Sequence, residues 1–266
     1  MAADKAHDIE ELARFSKELV GRLGKEALSY YGKGKTDVKF DEELVTAAEL
    51  QLTGVFEKEL KDQYPEHVLF ENYQENNGYT HDEQRYLWIY DPIDGVDNFQ
   101  TGIPIWGISL ALLENFWPIF GLFYMPATGD LFHARADQSA YRGEKNITVA
   151  NQKTVNDESL LLTYSRFHQH YKTSFPGKIR NLGCTTAHIC YVATGRADAA
   201  LIANESYKGL AAARVIIEAA GGKIFRMDGS GFFLNEYLDG QKIEDHLLVV
   251  SPENFSPVLS CLQRII

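Results

Sequence analysis

Cysteine is scarce in this chain. Cys184, Cys190 and Cys261 are the three in 266 residues, an odd count without the close pairing that zinc ribbons or disulfide frameworks use, so neither is expected. A reducing, cytoplasmic setting fits that usage. Positive charge is also short. Lys and Arg number 26 against 37 Asp and Glu, for a formal net charge of −11, the reverse of a nucleic-acid-binding balance; no nucleic-acid partner is expected. The first residues, MAADKAHDIEELARF, lack the apolar run of a secretory leader. A clean membrane-spanning run is missing as well. The stretch 105–125 is long enough to cross a bilayer, but it is broken by Glu114, Asn115 and Pro118 and holds Gly107 and Gly121. It reads as two buried strands joined at Glu114-Asn115, and no membrane partner is expected. Repeats and low-complexity tracts are absent. What is present is ordinary globular material, 45% apolar and 24% charged, long enough to bury a large core as one layered unit or two fused subdomains. An acidic protein that binds an anionic ester needs cations or an amide-lined pocket to reverse the local field. That makes clustered carboxylates the feature to look for.

Ile9, Leu12, Ser16, Leu19 and Leu23 recur at helical spacing and predict an amphipathic helix over residues 8–31, stopped by GKGKTD at 32–37 with Gly32 in the terminating position. A second helix is predicted over 41–64, striped by Leu44, Ala48, Leu52, Val55 and Phe56 and followed by Pro65. Strands are expected over 67–71, 86–91, 105–113, 118–124 and 131–135. Beyond residue 150 the pattern alternates: strand 160–164, helix 185–193 closed by Gly195, strand 197–202, helix 210–220 ended by Gly221-Gly222, strand 246–250 and a last helix 252–265. The expectation is an α/β fold, a layered sandwich of helices and sheets. Residues 1–145 would form a helix pair plus a largely antiparallel sheet, and 146–266 an α/β half, in one compact unit. Trp106, Trp117, Phe116, Phe120 and Phe123 read as core aromatics.

Residues 91–99, DPIDGVDNF, carry the densest chemistry. Trp88-Ile89-Tyr90 bring a strand to Asp91, Pro92 removes an amide donor from the ladder, and Asp94-Gly95 makes a tight turn. Two carboxylates three residues apart can address one ion, and oxygen-only ligands suit magnesium, manganese or calcium rather than zinc. Asp94 can also cap a short helical turn beginning near Gly95, whose first amides, at Gly95 and Val96, would cradle a phosphate. DPxDG alone is also a common surface turn. Glu71, at the end of the preceding strand, and the Asn98-Phe99 continuation favour the phosphoryl reading.

DPIDGVDNF resembles the DPxDGTxNF signature of the inositol monophosphatase family of magnesium-dependent phosphomonoesterases. Glu71 stands where that family places an upstream metal-binding glutamate. LVTAAE at 44–49 resembles its LVTxxD stretch, and GRADA at 195–199 and IIEAAGG at 216–222 match further elements in order. The likeness runs from about residue 40 to 225. It implies an α-β-α-β-α sandwich of the inositol monophosphatase and sugar phosphatase type, a homodimer, and hydrolysis of a small phosphorylated metabolite, an inositol or sugar phosphate, by a metal-activated water. It implies one ion held by Glu71, Asp91 and the Ile93 carbonyl, a second by Asp91, Asp94 and a later aspartate, and a third near Glu49. Gly183, Cys184 and Thr185 would meet the alcohol portion of the substrate.

The chain departs from that pattern at identifiable places. Counting back from Glu218, the family's WDxAA tryptophan and aspartate fall on Lys208 and Gly209. Val96 replaces the signature threonine that orients water, Asn72 replaces the second glutamate of a pair, and Glu49 replaces an aspartate. One fewer anionic ligand lowers cation affinity, so fewer bound ions are expected, and losing a positioning group costs about 10²–10³ in rate. The alternative function is therefore a catalytically degenerate binding or regulatory protein. Residues 204–209, NESYKG, read as a polar surface loop; Glu205 and Lys208 are the residues within reach to compensate. Cys184 at a helix start is a weak nucleophile candidate with no positioned base, and His188 reads as a core histidine.

Overall fold

Two capped helices open the chain. A computed structural model describes residues 8–70, 86–150, 153–237 and 241–265. In it Asp8 accepts from the Glu10 amide to start α1 (Ile9–Ala27), and Asp41 accepts from the Leu44 amide to start α2 (Glu42–Gln63), as short acidic caps do. The first helix stops at Ala27 rather than Tyr31. Gly32 is left-handed, at φ 70°, but its task is docking: its amide donates to the Phe99 carbonyl, and a side chain there would press on Gly102.

A seven-stranded sheet follows, in the order β1 (Val68–Leu69), β2 (Tyr86–Asp94), β3 (Gly107–Glu114), β4 (Trp117–Met125), β5 (Asp130–Arg135), β6 (Ala140–Arg142) and β7 (Lys145–Ile147). The first pair is parallel and the rest form an antiparallel meander. A short helix, α3 (Val96–Thr101), sits between β2 and β3. The apolar stretch 105–125 is indeed a hairpin. Its turn residues, Asn115 and Phe116, both have positive φ, 49° and 66°, the backbone that matches strand twist in tight hairpins. Trp117 is 67% exposed at the start of β4, so this aromatic is not a core residue, because it lies at the solvent end of the hairpin.

The later half contributes β8 (Leu160–Thr163), α4 (Phe167–His170), β9 (Tyr171–Thr173), β10 (Lys178–Arg180), α5 (Thr185–Ala193), β11 (Ala199–Ile202), α6 (Tyr207–Ala219), β12 (Lys223–Arg226), β13 (Leu247–Val250), α7 (Phe255–Leu259) and β14 (Leu262–Arg264). A five-stranded sheet is ordered β10-β8-β11-β13-β12, and β14 pairs with β9. The single helix expected over 252–265 is replaced by a short turn of helix and a strand. Pro257 would break the ladder of a longer helix, and Leu262–Arg264 finds a partner in Tyr171–Thr173, a long-range pairing that local pattern does not register.

Strand alternation explains the layering. Trp88, Tyr90, Leu110, Leu112 and Leu122 face α1 and α2, with Leu12, Leu19, Leu52 and Phe56. The intervening residues Leu87, Ile89, Ala111, Leu113 and Phe123 face the opposite way. There they meet α5 and α6, whose far side meets Leu162, Ala200, Ile202, Leu247 and Val249 of the second sheet. The outer face of that sheet, at Leu161, Ala199, Leu201 and Val250, is covered by Phe167, Tyr171 and Val258. The result is the expected α-β-α-β-α sandwich, each central strand apolar on both faces because both are buried. No helix among the described residues is long and apolar enough to cross a membrane.

Candidate active site and metal centre

β2 does not stop at Pro92. It continues to Asp94, with Asp91 opposite Ser109 and Asp94 opposite Gly107, so three steps along β2 match two along β3. That is a β-bulge of one extra residue. It decides the chemistry: residues three apart in a regular strand point to opposite faces, and the extra residue turns Asp94 back towards the side of Asp91. The charge of Asp94 reaches Asp91, whose carboxyl is pushed up to about 6 by burial first and by Asp94 second. The Ile93 amide donates to Asp91 Oδ1 at 3.4 Å, a long contact.

Three residues stitch the floor together. Gly95, left-handed at φ 90°, is the N-cap of α3 and offers no side-chain cap; a Cβ there would stand 3.0 Å from Cys184 Cβ and 3.1 Å from the Ile105 carbonyl. Asn98 donates through Nδ2 to the carbonyls of Ile105 and Leu182, at 2.6 and 2.7 Å. Gly183, at φ 76°, lies against the Asn98 amide, within 2.8 Å of a would-be Cβ. The first turn of α3 and the start of α5 are thus pressed together. Asp94 does not cap α3. Its Oδ2 accepts from the Thr186 amide at 2.9 Å, so it caps α5, because the bulge aims it across the junction and away from its own turn.

More acid converges than expected. Glu205 lies in this junction and not in a surface loop. Its Oε1 accepts from Thr185 Oγ1 at 2.8 Å, and its carboxyl is pushed up to about 7, by burial first and then by the charges of Asp94 and Asp91, against the hydrogen bond from Thr185. Helix α6 begins at Tyr207, earlier than expected, with Ser206 Oγ accepting from the Gly209 amide at 3.0 Å. This N-cap fixes residues 205–209, and Thr186 Oγ1 donates to the Gly209 carbonyl at 3.3 Å. Glu49, half-buried on α2, has its carboxyl raised by burial and lowered in part by Lys208. Lys208 also acts on Asp91, so Glu49 and Lys208 border the same carboxylates.

Asp91, Asp94 and Glu205 make no ion pair among the described residues. Oxygen-only donors without a directly paired cation fit a hard divalent cation such as magnesium. Among the described residues no three His, Cys, Asp or Glu side chains are already gathered to hold an ion by themselves. Glu71, expected as a ligand, lies outside the described residues, as does Asn72. β1 runs parallel to β2 with Leu69 opposite Trp88.

Beside the junction opens a cleft of about 480 Å³, lined by Asp97, Asn98, Tyr164, Asn181, Gly183 and Thr185 among others. Gly183, Cys184 and Thr185 border it. Cys184 is buried against Gly95, and burial followed by the charge of Asp94 raises its thiol well above the ordinary value, the reverse of an activated nucleophile. His188 is a core histidine accepting from the Leu182 amide at 2.9 Å, held neutral by burial with its pKa lowered to about 4. Val96 packs its side chain on the cluster around Phe99 and Trp106. Sequence reasoning named Glu205 as a residue within reach but read residues 204–209 as a surface loop, and it missed the Thr186 amide. The only local signal was Ser206 placed as a helix cap.

A family model described as the inositol monophosphatase family matches residues 8–253. Nus factor SuhB of Xylella fastidiosa is 31% identical over 186 residues, covering 66% of this chain and 66% of that protein. Fructose-1,6-bisphosphatase of Pyrococcus furiosus is 29% identical over 191 residues, 71% of this chain and 74% of that one. The solved IMPase of Thermotoga maritima shares the fold with a TM-score of 0.76 at 21% identity, over 94% of this chain and 96% of the other.

Proposed function

The chain belongs to the inositol monophosphatase family, and from that premise we propose that it hydrolyses a small phosphate monoester of the inositol phosphate or sugar phosphate class in the presence of magnesium. The observation that carries this reading is the bulge that turns Asp91 and Asp94 to one side at the meeting point of α3 and α5. Asp91 and Asp94, with Glu71, Glu49 and the Ile93 carbonyl, would hold the cation; manganese or calcium meets the same donor chemistry. When bound there it supplies charge neutralisation for the phosphate and a lowered pKa for water. The residues of the chain do the rest. The uncapped first amides of α3, at Gly95 and Val96, face the phosphate as donors. Gly183 and Thr185, at the mouth of the 480 Å³ cleft, receive the alcohol portion. The relative from Pyrococcus, named as a fructose-1,6-bisphosphatase, supports the sugar phosphate side of this class. The reading carries with it a homodimer working in the cytoplasm.

The test is release of inorganic phosphate from a panel of inositol and sugar phosphates with magnesium. Turnover that an Asp91→Asn variant loses by about 10²-fold or more is expected; release no greater than that variant overturns the reading. A second reading, a binding or regulatory protein with little catalysis, draws on Val96, whose side chain packs inward without a hydroxyl, and on the relative named as a Nus factor. Retained magnesium binding with phosphate release at the Asp91→Asn level would favour it.

A further inference from the structure

Glu205 has the surroundings of a functional carboxylate. Its main-chain carbonyl accepts from the Ile243 amide at 2.9 Å, in an isolated bridge to a fully buried residue, so its backbone is anchored across the fold. Its side chain is anchored at one oxygen only, by Thr185 Oγ1. The other oxygen, Oε2, carries no hydrogen bond among the described residues and lies 3.6 Å from the point where a Cβ on residue 209 would stand. Residue 209 is glycine without needing to be. It sits in the first turn of α6, its φ is not left-handed, and nothing approaches that Cβ position closer than 3.4 Å. Its main-chain oxygen accepts from Thr186, the residue whose amide holds Asp94.

We propose that Glu205, held by Thr185, supplies the third carboxylate of a divalent-cation site shared with Asp91 and Asp94, occupying the space into which a side chain on residue 209 would project. The inference rests on the metal-dependent reading of the site and names a ligand for it. A side-chain carboxylate at 209 and one at 205 would compete for one volume and repel. A glycine at one and a glutamate at the other place a single anion there. Glu205 reaches the junction from the residue before the α6 N-cap, and Thr185 Oγ1 fixes the rotamer, which leaves Oε2 as the free donor.

Manganese binding, read by electron paramagnetic resonance and calorimetry on the full chain, tests this without recourse to turnover. The wild type is compared with Asp91→Asn, Glu205→Gln and Glu205→Gln/Gly209→Asp, with thermal unfolding as a check of fold. Glu205→Gln still accepts from Thr185, and is expected to weaken one class of bound ion about tenfold or more while another persists. Adding Gly209→Asp is expected to return the lost affinity. Thr185→Val serves as a second variant and should weaken the same class alone. Binding identical in Glu205→Gln and wild type overturns the inference and leaves the metal-dependent reading standing. A wild type that binds no manganese overturns both. A loss that Gly209→Asp does not restore, together with a lowered unfolding temperature, marks Glu205 as structural and also overturns the inference.

Discussion

Asp91 is the side chain on which the cost of gathering acid at one point can be measured. Folded, its carboxyl titrates at about 6 against an ordinary value of 3.8, because burial and the charge of Asp94 disfavour the anion. The native state therefore holds this proton more tightly than the unfolded chain. Stability falls as pH rises from about 3.8 to about 6, and the deficit is complete above that window. One pKa unit corresponds to about 1.4 kcal/mol, so Asp91→Asn should stabilise the protein in EDTA by about 3 kcal/mol at pH 8 and have almost no effect near pH 3. Denaturant unfolding at the two pH values checks this, and an equal effect at both would remove the electrostatic account. Cys184 shows the same effects on a thiol: burial first and Asp94 second oppose the anion, so the residue serves packing against Gly95.

At the scale of elements, the site is a junction between helix starts at the end of a bulged strand. Asn98 holds it by donating to two carbonyls from separate segments, Ile105 and Leu182. Asn98→Ala leaves both acceptors without that partner and is expected to cost about 2–3 kcal/mol. Asn98→Asp should cost more, since it sets a third acceptor against two others. Chemical denaturation of the three proteins orders them, and an aspartate variant more stable than the alanine one would contradict the assignment of donor and acceptor. The same junction explains the α5 cap. A carboxylate at the start of a helix is stabilised by the free amides there, and Asp94 finds those of α5 because the bulge directs it across the gap.

At the scale of the molecule, α5 and α6 form a central layer shared by both sheets. A close approach is at Gly121 on β4, where a Cβ would come within 2.4 Å of the Ala212 carbonyl and 3.0 Å of Val215 Cβ. Gly121→Ala must push α6 away from the first sheet, and overpacking of this kind costs about 1–3 kcal/mol, or roughly 3–10 °C in melting temperature for a domain of this size. Because α6 carries residues 207–209 to the site, the variant should also weaken cation binding although it lies away from the carboxylates. Calorimetric melting with and without magnesium reads both effects; an unchanged melting temperature would show that the layers are not in tight contact.

Much of this protein is set down locally. Asp8 and Asp41 cap their helices, the 105–125 stretch folds back as a hairpin (turning at Asn115-Phe116, one residue beyond the expected Glu114-Asn115), apolar strands alternate between two buried faces, and DPIDGVDNF announces acid beside a turn. These features follow from short-range periodicity and turn chemistry, which a sequence displays directly. The tertiary structure decided where the acid points. The extra residue in β2 exists only relative to β3, Asp94 meets α5 from far along the chain, Glu205 reaches the junction through Thr185 and Ile243, and β14 forms because β9 lies beside it. Register, charge proximity and strand partnership depend on residues far apart in sequence, so they come into being only when the layers close.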